Sequence, residues 1–66
     1  MQIILNGDKR TLDEGATVSD LIAELNLTDQ RMAVEVNEEL VPRSTFSSHH
    51  LRAGDKMEIV HAIGGG

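Results

Sequence analysis

The stretch Thr17-Val18-Ser19-Asp20-Leu21-Ile22-Ala23-Glu24-Leu25-Asn26 (TVSDLIAELN) decides how the rest of this chain is read. Val18, Leu21, Ile22 and Leu25 recur at i, i+3, i+4 and i+7, which places all four on one face of a helix. Thr17 stands at the N-cap position, and Asp20 three residues later can return its carboxylate to the Thr17 backbone amide, a shortened capping box. Asn26 tolerates the left-handed conformation that stops a helix. The spacing predicts a single helix of about two and a half turns at 3.6 residues per turn. Its apolar stripe is narrow and suits packing on a sheet. A membrane-surface helix needs a basic polar face, and this one carries Asp20 and Glu24.

On the N-terminal side, QIIL (2–5) and RTL (10–12) are short apolar-rich runs separated by Asn6-Gly7-Asp8-Lys9. Asn-Gly is a strong hairpin signal because both residues accept the positive φ of a type I′ turn. Gly7 is therefore a turn residue, and no G-x-x-x-x-G-K pattern surrounds it to suggest a phosphate loop. On the C-terminal side, MAVEVN (32–37) alternates, so that Ala33 and Glu35 face away from Val34 and Val36. Asn37-Glu38-Glu39 reads as a turn and LVPR (40–43) as a short strand that Pro42 confines to an edge or terminates. The stretch STFSSHHLRAGD (44–55) has no sustained period. It reads as loop with one helical turn anchored by Phe46 and Leu51, closed by a turn at Ala53-Gly54-Asp55. KMEIVHAI (56–63) is the last strand, followed by Gly64, Gly65 and Gly66.

The order is thus β-β-α-β-β-loop-β, two hairpins joined by a helix that crosses one face. The first and last strands are the most apolar, as parallel neighbours in the middle of a sheet would be. The expected class is α+β, a β-grasp arrangement with a mixed sheet packed on one main helix. Residues 1–63 form the domain, and residues 64–66 form a flexible glycine tail leaving the end of a central strand.

Composition narrows the partners. A chain of 66 residues supports one small core and buries only about 60% of the surface its unfolded form exposes. Eleven acidic residues against six basic ones give a formal charge of −5. Affinity for a phosphate backbone comes largely from lysine and arginine, so nucleic acid is not an expected partner. Phe46 is the lone aromatic residue, which leaves no platform for stacking bases. No apolar run is long enough to span a bilayer and the start MQIILNGDKR carries no basic leader, so the expected location is cytoplasmic and no membrane partner is expected. The chain has no cysteine, so a thiol cannot be its working group.

Other clusters read as structural. His49 and His50 are adjacent in an extended loop and point apart, and with His61 they form no closed ligand set, so no metal is expected. Ser44, Ser47 and Ser48 beside them suit turn and helix capping better than a Ser-His nucleophile. Glu38-Glu39 diverge at a solvated turn. In the last strand Met57, Ile59, His61 and Ile63 share one side, and Glu58, Val60 and Ala62 the other. Apolar residues on both sides mean that either both sides are buried or one is kept for a partner. Ile4, Val60, Ala62 and Ile63, with Arg43 after Pro42, are the candidate interface.

The segments IILNG (3–7), TVSDLIAEL (17–25), VEVNEELVPRSTF (34–46) and LRAGDKMEIVHAIGGG (51–66) together resemble the ThiS family of sulfur carriers of thiazole (thiamin) biosynthesis, which have a ubiquitin-like β-grasp fold. The resemblance implies a carrier that is the substrate of an enzyme and not an enzyme itself. It implies that an E1-like adenylyltransferase uses ATP to join the Gly66 carboxylate to AMP. A sulfur donor such as a cysteine desulfurase then supplies persulfide sulfur, AMP leaves, and Gly66 carries a thiocarboxylate to thiazole synthase. Gly64 and Gly65 would thread into partner active sites. Residues without Cβ pass a narrow channel and leave the activated carbonyl open to attack. No bound cofactor is implied; the ATP is used by the partner. A third glycine exceeds the family's terminal pair and leaves Gly64 assignable to strand end or tail. A small-subunit sulfur carrier of the molybdopterin-synthase type and a ubiquitin-like protein modifier remain alternative readings of the same tail.

Overall fold

A computed structural model describes residues 1–61. Asn6 and Gly7 adopt φ of 48° and 87°, the positive pair of a type I′ turn. They close a hairpin between β1 (Gln2–Leu5) and β2 (Asp8–Thr11), with Leu5 opposite Asp8. The turn is two residues long where the sequence suggested four. Because a type I′ turn shares the twist of its strands, pairing resumes at once, and Asp8 and Lys9 become strand.

A second two-residue turn, Asn37 at φ 53° and Glu38 at φ 69°, joins β3 (Met32–Val36) to β4 (Glu39–Val41), with Val36 opposite Glu39. The two hairpins therefore turn in the same way, but the second has glutamate where the first has glycine. A left-handed backbone costs a residue with a Cβ about 1 kcal/mol or more, and Glu38 is solvent-exposed with no packing to lose. Glu38→Gly should therefore stabilise the fold by up to about 1 kcal/mol, less the extra unfolded-state entropy of glycine. The measurement is urea unfolding, with a raised midpoint and an unchanged m-value.

The last strand, β5 (Lys56–His61), lies at the centre of a five-stranded sheet of order β2-β1-β5-β3-β4. It runs parallel to β1, with Ile4 opposite Lys56, and antiparallel to β3, with Ala33 opposite Val60. The chain's first and last strands are thus central neighbours, as their apolar content suggested. β4 is an edge strand that stops at Val41, immediately before Pro42.

The helix α1 (Val18–Glu24) is seven residues long, about half a turn shorter than expected. Its N-terminus carries both halves of the capping box. The Thr17 hydroxyl accepts from the Asp20 amide at 3.1 Å, and the Asp20 carboxylate accepts from the Thr17 amide at 2.9 Å. Leu25 caps the C-terminus and Asn26 turns the chain away at φ 60°. Val18, Leu21 and Ile22 face the sheet and join Ile3, Val34, Val36, Met57 and Ile59 in one buried cluster. Phe46 and Leu51 complete it from the long connection, whose short 3₁₀ turn (Arg43–Thr45) immediately precedes Phe46. The connection is tied to the start of the helix. The Val18 amide donates to the His49 carbonyl (2.9 Å) and the Leu51 amide to the Ala16 carbonyl (2.8 Å).

The two turn asparagines also grip β5 from opposite sides. The Asn6 amide donates to the Met57 carbonyl (2.9 Å), and the Asn6 Oδ1 accepts from the Ile59 amide (2.8 Å). On the other flank the Asn37 amide donates to the Lys56 carbonyl (2.7 Å), and the Asn37 Oδ1 accepts from the Lys56 amide (3.0 Å). Each asparagine side chain supplies an acceptor where the neighbouring strand has already turned away.

Candidate functional site

The end of β5 and the sheet face opposite the helix form the candidate site. β5 is paired along both edges, and its final described residue, His61, lies opposite Met32 on β3. Ala62, Ile63, Gly64, Gly65 and Gly66, to which the sequence assigned part of the interface and the modified terminus, lie outside the described residues.

Strand alternation fixes the outer face. Lys56, Glu58 and Val60 of β5 point away from the helix, because Met57 and Ile59 are buried beneath it. Across the β3 and β4 registers one outer row reads Glu58, Glu35, Leu40, and the next pairs Val60 with Ala33. Val60 is 60% exposed and Leu40 66%. Leu40 was absent from the sequence-derived set, although alternation with the inward Val41 could have revealed it.

Ile4 shares this face, but not this neighbourhood. It stands opposite Lys56 on one side and Lys9 on the other, and it is half-buried. Val60 lies four residues farther along β5, roughly 13 Å at strand rise. Lys56 and Glu58 intervene, so Ile4 and Val60 do not make one apolar patch. Arg43 has work inside the chain. Its guanidinium donates to the carbonyls of Gln30 (2.7 Å) and Thr28 (3.5 Å) and sits 5.8 Å from the centre of the Phe46 ring. That clamp holds the segment leading into β3.

The remaining polar clusters are occupied locally. Ser48 Oγ donates to the Thr45 carbonyl (3.2 Å), and His50 Nδ1 lies 3.0 Å from the Gly15 carbonyl oxygen. Among the described residues no three His, Asp or Glu side chains converge as a metal site. An open cleft of about 470 Å³ lined by Asn37, His49, His50, Arg52 and Asp55 lies beside the beginning of β5, the pole away from His61. Among the described residues, no helix is long and apolar enough to cross a membrane.

Residues 3–66 match the model of the ThiS family. The chain belongs to the ThiS family. It is 30% identical over 66 residues to the sulfur carrier protein ThiS of Escherichia coli, and the match covers all of both chains. The crystal structure of the thiamine biosynthesis protein ThiS from Geobacter metallireducens superposes with a TM-score of 0.85 at 30% identity over all of both chains. A thiazole synthase of Paramagnetospirillum magneticum is 41% identical over 66 residues, which are all of this chain and 20% of that protein. The chain thus spans about a fifth of the length of the thiazole synthases it matches. The fold shared with the ThiS structure is the ubiquitin-like β-grasp, a mixed sheet packed on one main helix.

Proposed function

We propose that the main-chain carboxylate of Gly66 is the site that carries sulfur, and that the folded body presents it to two successive partners. In the first step a carboxylate oxygen of Gly66 attacks the α-phosphorus of ATP in an E1-like adenylyltransferase. Pyrophosphate leaves and a mixed acyl-phosphate anhydride remains. A persulfide on a sulfur donor, such as a cysteine desulfurase, then attacks the Gly66 carbonyl and AMP leaves. A thiol cleaves the resulting sulfur–sulfur bond, which frees the thiocarboxylate and forms a disulfide on the donor side. The thiocarboxylate finally passes its sulfur to thiazole synthase.

The observation that carries this reading is the match to the ThiS family through residue 66, taken with the central position of the strand that precedes the glycines. A carboxylate is a poor electrophile until activated, and the described surface offers no thiol or metal cluster to hold the cargo instead. Glycines before the reacting carbonyl remove the side chains that would obstruct its approach. Residues 64–66 act as a stalk and residues 1–63 as the body.

The test is intact-mass measurement after incubation with ATP, the adenylyltransferase, a cysteine desulfurase and cysteine. The expected product is a chain in which one terminal oxygen is replaced by sulfur, and its mass reverts when thiazole synthase and its substrates are added. Covalent attachment to lysines of other proteins would instead establish a modifier. Transfer to molybdopterin synthase in preference to thiazole synthase would reassign the pathway.

A further inference from the structure

The tip of the first hairpin sets a side-chain amide beside a main-chain nitrogen that nothing shields. Asn6 and Gly7 are both exposed, and a Cβ added at Gly7 would meet nothing within 4 Å. Among the described residues the Gly7 amide and the Asn6 Nδ2 have no hydrogen-bond partner, whereas Asn6 Oδ1 accepts from the Ile59 amide at 2.8 Å. Asparagine is a thermolabile residue, because the next main-chain nitrogen can attack its side-chain carbonyl. With glycine next, no side chain obstructs that attack.

The native fold opposes the reaction. Ring closure has to swing the Asn6 side chain back over the Gly7 nitrogen. The Asn6 amide is tied to the Met57 carbonyl (2.9 Å) and the Asn6 Oδ1 to the Ile59 amide. Both ties run to β5, so the side chain is released only when the hairpin tip parts from that strand.

We propose that Asn6 is a site of spontaneous deamidation gated by its grip on β5, and that the isoaspartyl product undoes that grip. In the opened state the Gly7 amide gives its proton to water and its nitrogen attacks the Asn6 Cγ. A nitrogen–carbon bond forms, the Cγ–Nδ2 bond breaks, and Nδ2 leaves as ammonia with a proton taken from solvent. Water then opens the cyclic imide at either carbonyl, and no oxidant or reductant takes part. Breaking the new bond leaves an aspartate at position 6, with a carboxylate oxygen where Oδ1 was. Breaking the original peptide bond leaves isoaspartate, with the main chain lengthened by the side-chain carbon. A two-residue turn with φ of 48° and 87° cannot absorb that carbon and keep Leu5 opposite Asp8. The isoaspartyl chain therefore loses the tie to Ile59 and holds β5 less firmly on that flank.

The second hairpin supplies the contrast. Asn37 also stands at positive φ and grips β5 through Lys56, but Glu38 follows it. The glutamate side chain crowds the attacking nitrogen, and the Asn37 Nδ2 is held by the Asp55 carboxylate at 3.0 Å.

The experiment ages full-length chain in mildly alkaline buffer, with and without enough guanidinium chloride to unfold it. Intact mass and peptide mapping follow the exchange of NH2 for OH. Conversion at Asn6 should be at least about tenfold slower in the native chain than in denaturant, because it waits on a local opening. Asn37 should stay unconverted in the native wild-type chain, and in denaturant it should lag well behind Asn6. Glu38→Gly removes the crowding side chain and should bring Asn37 in denaturant up to the rate of Asn6. The isoaspartyl fraction, isolated by chromatography, should unfold at a lower urea midpoint than the Asn6→Asp variant, which has the charge without the added carbon. Equal rates at Asn6 in native and unfolded chain would overturn the gating. Conversion of wild-type Asn37 as fast as Asn6 would overturn the assignment of the site. An isoaspartyl fraction as stable as Asn6→Asp would overturn the loss of grip.

Discussion

Deletion of Gly66 should abolish sulfur loading while leaving the thermal midpoint of the chain unchanged. The shortened chain still ends in a glycine carboxylate, so the chemistry of the terminus is preserved and only its reach is altered. One residue of extended chain spans about 3.3–3.6 Å. Misplacement of a reacting group by about 1 Å can cost on the order of 100-fold. Withdrawing the carboxylate by a whole residue should therefore lower adenylation by at least that factor. The body should not register the loss, because among the described residues the buried cluster is assembled from positions between Ile3 and Ile59. The measurements are pyrophosphate release on mixing with the adenylyltransferase, intact mass, and thermal unfolding. Loading at the wild-type rate after deletion would show that the Gly65 carboxylate serves as well and that the reach of the tail does not decide adenylation.

The second large effect is on stability. Leu21 is fully buried at the centre of the helix face. Leu21→Ala should cost about 3–5 kcal/mol, the range for leucine truncation in a core that cannot collapse around the gap. A domain of this size is expected to have a total stability of only about 3–10 kcal/mol. The variant should thus lose about 30% or more of its stability, and at the lower end of that range it should be largely unfolded. Urea unfolding measures the loss as a lowered midpoint at an unchanged slope. A cost under about 1 kcal/mol would mean that the helix does not seal the sheet as described.

These two outcomes separate what the sequence could disclose from what it could not. The helix was legible because its apolar spacing and its cap are local properties, and both reciprocal capping bonds are present. Asn26 was legible for the same reason, since a left-handed stop needs no distant partner. The central pairing of the first and last strands followed from their apolar content. β2 was only half legible. Asp8 and Lys9 are polar edge-strand residues, and Arg10 fills an inward position opposite Ile3 while its guanidinium reaches Glu24 at 3.2 Å. No period-two apolar pattern marks such a strand.

At the candidate site the contacts that the sequence does not disclose have a common cause, which is separation along the chain. The bonds of Arg43 go back thirteen and fifteen residues to Gln30 and Thr28. The Asn6 side chain accepts from an amide 53 residues away. The facing of Val60 could be read from its own strand, but the distance between Val60 and Ile4 depends on how two strands are aligned. The opposition of Glu35 and Glu58 depends on register in the same way.

The asparagine grips on β5 bear on how the protein withstands its own use. A partner that draws the chain's end into a narrow channel pulls on β5 along its length. With β1 and Asn6 on one flank and β3 and Asn37 on the other, that load falls on many bonds in shear at the same moment, not on one bond after another as in peeling. On the proposed reading, a pull at the tip therefore meets the resistance of a strand held along both edges, where an edge strand would unzip.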